Sequence, residues 1–127
     1  MRRLLKRILI VDDHAAVRRA IARLFERVPT FAICGEAENG SVAIEKAREL
    51  KPDAIVIDLS MPVMNGLQAT RILRALMPAV PILMYTSFTH VNLAEEALAA
   101  GVTRVASKTS PPELLVQELQ SLLADAA

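Results

Sequence analysis

Five short apolar runs alternate with five amphipathic segments, and this alternation restricts the fold more than any other feature of the chain. We predict strands at the apolar runs, which are residues 8–11, 31–34, 54–57, 82–85 and 102–106. Because these runs are apolar at consecutive positions, both faces of each strand are expected to be covered, as in a parallel sheet.

The segments between the runs carry apolar residues at helical spacing, and turn residues mark where each helix starts or stops. The predicted stops are Pro29, Pro52, Pro78 and Gly101. The predicted starts of helices two to five are Asn39-Gly40, Asn65-Gly66, His90 and the capping-box sequence Ser110-Pro111-Pro112-Glu113.

Five consecutive strand–helix units predict a doubly wound α/β domain, with five parallel strands and five helices. Right-handed crossovers favour the strand order 2-1-3-4-5, which has its switch point between strands 1 and 3. The length of 127 residues fits one domain over residues 1–127.

Polar side chains follow the predicted strands at the end where such sheets bind ligands. Asp12 and Asp13 follow the first strand and Asp58 follows the third, while Thr86 and Lys108 follow the fourth and fifth. Carboxylates this close repel one another by about 4 kcal/mol per pair at 4 Å and an effective dielectric constant near 20. The cluster therefore predicts a bound Mg²⁺ that handles a phosphoryl group.

Composition excludes several other classes of protein. A net charge of +1 gives no field for nucleic acid, and no apolar run approaches the roughly 20 residues that span a bilayer. Lys6 and Arg7 interrupt any apolar core of a signal peptide, and Cys34 is the only cysteine. We expect a cytoplasmic protein that contacts no membrane.

The polar positions stand in motifs that resemble a response-regulator receiver domain over essentially the whole chain. The motifs are Val11-Asp12-Asp13-His14, Asp58-Leu59-Ser60-Met61-Pro62 followed by Gly66, Thr86-Ser87, and Lys108. The first of them and the segment 108–114 are similar to the NarL/FixJ (LuxR-type) branch, whose members usually carry a C-terminal helix-turn-helix. The resemblance implies the flavodoxin/CheY-like form of the fold.

The resemblance also implies the role of each acidic residue. Asp58 is the expected phosphoryl acceptor, which attacks the phosphorus of a phosphohistidine on a partner kinase. Asp13, Asp58, the backbone carbonyl of Ser60 and, largely through water, Asp12 are expected to hold Mg²⁺.

Two further residues are expected to contact the phosphoryl oxygens. Lys108 supplies a compact positive charge and Thr86 a short hydroxyl donor. The expected protein is a signalling domain rather than an enzyme, although it assists its own phosphorylation and dephosphorylation.

The resemblance implies partners as well. A sensor histidine kinase or phosphotransfer protein is expected to supply the phosphoryl group, and phosphorylation is expected to switch a protein-interaction surface. That surface would serve a downstream protein, a fused output domain or a phosphorylation-linked homodimer. The domain itself is expected to bind no nucleic acid, and a stand-alone receiver and a piece of a longer transcription factor both stay open.

Three details extend the expectation. A cis peptide is expected between Lys108 and Thr109, aiming the lysine back at the site. Val105 stands where receivers usually have Tyr or Phe, which predicts a muted switch or one that runs through the fourth helix alone. Ser60 and Phe88 flank the expected approach of hydrolytic water, and Phe88 is predicted to slow loss of the phosphoryl group. The alternative is that Phe88 points outward as part of a partner-binding surface.

Other functions are less well matched. A flavodoxin-like FMN carrier would share the fold, but Asp12-Asp13 would replace its phosphate loop with acids. A haloacid-dehalogenase-type phosphatase places its nucleophile after strand 1, and a pseudo-receiver would lack part of the acid and lysine set. His14 and His90 are expected to begin helices rather than to react.

Overall fold

The computed structural model describes residues 5–87 and 90–126. Five strands are present: β1 (Lys6–Val11), β2 (Phe31–Ala37), β3 (Ala54–Ile57), β4 (Ile82–Thr86) and β5 (Arg104–Ser107). Five helices alternate with them: α1 (Ala15–Glu26), α2 (Gly40–Leu50), α3 (Gly66–Leu76), α4 (Leu93–Ala100) and α5 (Pro112–Ala126). The predicted alternation is confirmed.

The five strands form one parallel sheet in the order β2-β1-β3-β4-β5, as predicted. Val11 is opposite Ile57 in the β1–β3 pair, so the two central strands end at the same level. The switch point therefore lies beside the residues that follow Val11 and Ile57.

Side chains of successive strand residues enter two different cores. Ile8 and Ile10 of β1 pack with α1 and α5 on one face of the sheet. Leu9 and Val11 pack with α2 and α3 on the other face. All four are at most 1% exposed, which explains why the sequence of β1 is apolar without alternation.

Asparagine caps begin two helices at the predicted places. The side chain of Asn39 accepts a hydrogen bond from Val42 N at 2.9 Å and starts α2. Asn65 and Gln68 exchange side-chain and backbone hydrogen bonds in a capping box that starts α3. Each cap satisfies amide groups that the first helical turn leaves without partners.

Several element bounds differ from the prediction by one to three residues, and three of them have a visible cause. β2 continues past Cys34 to Ala37 because β1 offers pairing partners as far as Val11. Helix α4 begins at Leu93 rather than near His90, with Asn92 as its cap residue. Val102 is outside β5, since its amide donates to Ala97 O at 2.9 Å and so belongs to the end of α4.

Val105 lies on β5 and is partly buried against a small apolar cluster beneath α4. The muted switch expected from this valine stays a prediction. Phe88 lies outside the described residues. Among the residues that are described, no helix is both long and apolar enough to cross a bilayer.

Candidate functional site

The carboxyl ends of four strands surround one open crevice. Its volume is about 500 Å³, and it is lined by His14, Val17, Asp58, Ser60, Thr86, Ser87 and Lys108. A larger cavity of about 600 Å³ lies between α1 and α5, but its lining includes Lys108 and none of the three predicted acids. The crevice at the strand ends is therefore the candidate site.

Asp58 is held at the base of this crevice by backbone contacts. Its amide donates to Val11 O at 2.9 Å, which ties the end of β3 to the end of β1. The amide of Leu59 donates to Asp58 Oδ1 at 2.8 Å. The side chain is almost fully buried, so its other oxygen, Oδ2, faces protein groups such as Lys108 rather than bulk water.

The loop after Asp58 passes close to that residue because position 66 is a glycine. A Cβ atom at Gly66 would lie 2.2 Å from the carbonyl oxygen of Asp58. The amide of Gly66 donates to Leu59 O at 2.8 Å and closes the loop. The Asn65-Gly66 sequence therefore both starts α3 and permits the tight path around the acid.

Lys108 reaches both central strands from the end of β5. Its Nζ lies 2.6 Å from Asp12 Oδ2 and 3.2 Å from Asp58 Oδ2. The lysine is thus closer to Asp12 than to the residue it was expected to serve. This lysine and the two acids form a buried charge cluster with one positive and two negative members.

The predicted cis peptide between Lys108 and Thr109 is wrong. No peptide bond among the described residues is cis, yet Lys108 still enters the site. Its amide donates to Thr86 O at 3.0 Å, and Thr109 N donates to Ser107 Oγ at 3.1 Å. These bonds direct the chain after β5, so the trans form aims the side chain without the roughly 3–4 kcal/mol that a non-proline cis bond costs.

The charges of this cluster shift two pKa values. Burial raises the pKa of Asp58 above 3.8; the charge of nearby Lys108 opposes this and that of Asp12 adds to it. Burial by itself lowers the pKa of Lys108, but its hydrogen bonds and its attraction to Asp12 and Asp58 outweigh burial and raise that pKa. The attraction of Lys108 therefore does not fully offset the effect of burial on the pKa of Asp58.

Asp13 contributes a further buried oxygen, close to the exposed imidazole of His14. Its Oδ1 is buried and accepts no hydrogen bond from the described residues. Asp12, Asp13 and His14 each offer a ligand atom, and these atoms lie within 4.8 Å of one another. Carboxylate oxygens are the ligands that Mg²⁺ prefers, so the residues present fit that ion.

The remaining predicted residues occupy different parts of the crevice. Thr86 ends β4 and is buried, whereas Ser60 is exposed in the wall beside Asp58. His14 precedes α1 as its cap residue, as predicted, and its Nδ1 also lies 3.1 Å from Asp13 Oδ1. His90 lies near Glu96 of α4 and does not line the crevice.

Two charged residues near the acids were missed by the sequence analysis. Arg18 donates from Nη1 to Asp12 O at 2.6 Å and from Nε to Glu36 Oε1 at 2.9 Å. The sequence does indicate that Arg18 lies on the inward face of α1, because it precedes the buried residues Ile21 and Phe25 at helical spacing. Nothing in the sequence pattern identifies the oxygen that it contacts.

Comparison with known sequences places the chain in one family. The profile of the response regulator receiver domain matches residues 8–120. The chain is 34% identical over 116 residues to the transcriptional regulatory protein LnrK of Bacillus subtilis, an alignment that covers 91% of this chain and 53% of that relative. It is 43% identical over 84 residues to a protein-glutamate methylesterase/protein-glutamine glutaminase of Idiomarina loihiensis, covering 66% of this chain and 22% of the relative.

Solved structures agree with this assignment. A two-component response regulator of the LuxR family from Aurantimonas sp. SI85-9A1 superposes with a TM-score of 0.91 at 38% identity, covering 95% of this chain and 86% of that one. The response regulator domain of Thermotoga maritima CheB gives 0.84 at 30% identity, with 96% of each chain covered. The chain spans about half or less of the length of the two curated relatives. The chain belongs to the response regulator receiver domain family of two-component signalling.

Proposed function

We propose that this chain accepts a phosphoryl group on Asp58 from the phosphohistidine of a sensor histidine kinase or phosphotransfer protein. The observation that carries the proposal is the pairing of this buried carboxylate with Lys108, whose Nζ lies 3.2 Å from Asp58 Oδ2. Receiver-family membership supports the same reaction.

The transfer forms one bond and breaks one. A carboxylate oxygen of Asp58 attacks the phosphorus, the phosphorus–nitrogen bond breaks, and its electron pair leaves with the imidazole of the donor. The product is an acyl phosphate with additional negative charge at the site. Lys108 lies close enough to neutralise part of that charge, and Thr86 offers a hydroxyl donor from the end of β4.

Asp13, Asp58, the backbone carbonyl of Ser60 and, largely through water, Asp12 would hold Mg²⁺. When bound, the ion neutralises and orients phosphoryl oxygens. The buried Oδ1 of Asp13, which accepts no hydrogen bond from the described residues, supports this assignment.

The output of the proposed phosphorylation is a changed protein-interaction surface. The names of two relatives, a transcriptional regulatory protein and a LuxR-family response regulator, favour a fused DNA-binding output in the natural protein. A stand-alone receiver that binds a downstream protein, or a phosphorylation-linked homodimer, is the alternative. In each case the receiver itself binds no nucleic acid and works in the cytoplasm.

Intact-mass measurement after treatment with acetyl phosphate and Mg²⁺ tests the phosphorylation. We expect an increase of about 80 Da, equal to one phosphoryl group, that disappears in Asp58→Asn or when the metal is chelated. Asp53→Asn is the matched control, because Asp53 lies beside the opposite end of β3 and accepts from Arg7 N at 2.7 Å. Equal labelling of Asp58→Asn and the control would contradict the proposal.

A further inference from the structure

Arg18 joins the peptide between Asp12 and Asp13 to the second strand through a single side chain. It lies in the second turn of α1, and its guanidinium bonds both Asp12 O and the carboxylate of Glu36. Glu36 is itself held on β2, where it is opposite Ile10, and its carbonyl accepts a hydrogen bond from Lys46 Nζ. The guanidinium is thus fixed between a helix and two paired strands.

The carbonyl that Arg18 holds belongs to the peptide joining Asp12 to Asp13. Because that peptide is planar, fixing its oxygen also fixes the direction in which Asp13 leaves the strand. The Asp12 carboxylate has other anchors, namely His14 N at 2.9 Å and Lys108 Nζ at 2.6 Å. Asp13 Oδ1 accepts no hydrogen bond from any described residue. The exposed imidazole of His14 lies near this oxygen, with Nδ1 at 3.1 Å. The peptide that Arg18 holds is the more buried of the two constraints on the position of Asp13.

The opposite charges of Arg18 and Glu36 are also compatible with a cation site nearby. Arg18 is only 17% exposed, and Glu36 lies 2.9 Å from its Nε. The carboxylate of Glu36 offsets the guanidinium charge, so the pair fixes the peptide with little net repulsion of a cation bound by Asp12 and Asp13. An unpaired arginine there would compete with the cation for the same acids.

We propose that Arg18 and Glu36 form a positioning pair that orients Asp13 and thereby sets the divalent-cation affinity of the site. The inference rests on the proposed function, because it assigns the pair a role toward Mg²⁺. Residues that orient metal ligands typically change metal affinity by about 10–100-fold when they are removed. We expect Arg18→Ala to raise the Kd for Mg²⁺ about tenfold.

The sign of this effect separates positioning from simple electrostatics. Arg18→Ala removes a positive charge near a cation site, so a purely electrostatic role would tighten Mg²⁺ binding. Loss of positioning would weaken it. Arg18→Lys keeps the charge but not the planar fork that reaches two partners at once, so it should also weaken binding, to a smaller extent.

Isothermal titration of the full chain with Mg²⁺ measures these affinities. Arg104→Ala is the matched control, because Arg104 Nη1 forms a comparable pair with Glu118 Oε2 at 2.6 Å between β5 and α5. The control should bind Mg²⁺ as the wild type does. The double variant Arg18→Ala/Glu36→Ala should be no weaker than the weaker single variant, because residues that act as a unit are not additive.

Phosphorylation by acetyl phosphate gives a second readout. The rate for Arg18→Ala should approach that of the wild type at saturating Mg²⁺, with a higher half-saturating concentration. If Arg18→Ala does not fold, Arg18→Lys and Glu36→Ala serve for the same measurements. A lower melting temperature with an unchanged Kd for Mg²⁺, or a tighter Kd, would overturn the positioning role. Absence of Mg²⁺ binding by the wild type would overturn the proposed function and the inference with it.

Discussion

Replacing Lys108 by methionine should make stability depend on pH in a defined way. Methionine keeps the shape of the side chain but removes the charge that lies 2.6 Å from Asp12 Oδ2 and 3.2 Å from Asp58 Oδ2. At an effective dielectric constant near 20, these contacts correspond to gross attractions of about 6 and about 5 kcal/mol. Desolvation of the charges offsets much of that attraction in the folded protein.

Protonation of Asp58 limits the net cost of losing the lysine. Without Lys108 the two acids can share one proton, and taking up that proton costs about 1.36 kcal/mol for each pH unit above the ordinary pKa. With an ordinary pKa of 3.8 for Asp58, the loss of stability caused by removing the lysine cannot exceed about 4 kcal/mol at pH 7 and about 1.6 kcal/mol at pH 5. We therefore expect Lys108→Met to destabilise the metal-free protein by about 3 kcal/mol at pH 7 and by less than half of that at pH 5.

Urea unfolding at both pH values, without divalent metal, measures the effect. Lys51→Met is the control, because it removes the same charge from an exposed residue outside the site and should change stability little at either pH. A loss that is equal at pH 7 and pH 5, or larger at pH 5, would refute the account of the buried charges.

Three further substitutions test other features. Asp58→Asn should stabilise the metal-free protein at pH 7 by about 1 kcal/mol, because burial raises the pKa of Asp58 and so makes its ionised form unfavourable in the folded state. This gain in the free energy of unfolding should be complete above the folded-state pKa and should vanish below pH 3.8, and urea unfolding across this range measures it. Gly66→Ala should cost about 3 kcal/mol or more in thermal unfolding, since its Cβ would meet the Asp58 carbonyl oxygen at 2.2 Å; a smaller loss would show that the loop can move away. Val63→Asn should stabilise by about 1 kcal/mol in the same assay, because Val63 is 82% exposed at a φ of 69°, and no gain would contradict the strain assigned to it.

The fold could be predicted from the sequence because both of its signals are local. Consecutive apolar residues in β1 and β3 reflect burial on two faces, and Asn39 and Asn65 mark helix starts by satisfying nearby amides. The bounds that failed depend on contacts outside each element. Val102 reads as a strand residue, but its amide is bonded to Ala97 O of the preceding helix.

The sequence could predict which residues meet at the strand ends, but not the geometry in which they meet. Parallel strand ends bring Asp12, Asp58 and Lys108 together whatever their rotamers, so the topology alone identifies them. Which acid the lysine contacts more closely depends on packing, and the structure gives Asp12. Arg18 was missed for a similar reason, because its partner is a backbone oxygen and any residue at position 12 would supply one.

The expected cis peptide after Lys108 failed for a different reason. It came from resemblance to other receivers and not from the residues of this chain, in which position 109 is threonine rather than proline. The bonds from Lys108 N and Thr109 N direct the chain into the site with a trans peptide. The trans peptide observed here agrees with the high cost of a cis bond before a residue other than proline.

The central claim is that Asp58 is the residue that carries the phosphoryl group, and locating that group on the chain tests it most directly. Borohydride reduction converts a phosphorylated aspartate to homoserine, which peptide mapping then places in the sequence. After incubation with acetyl phosphate and Mg²⁺, we predict homoserine at position 58 alone and none when the metal is chelated. Homoserine at position 12 or 13, or an acid-labile phosphoryl group on His14 or His90, would contradict the assignment.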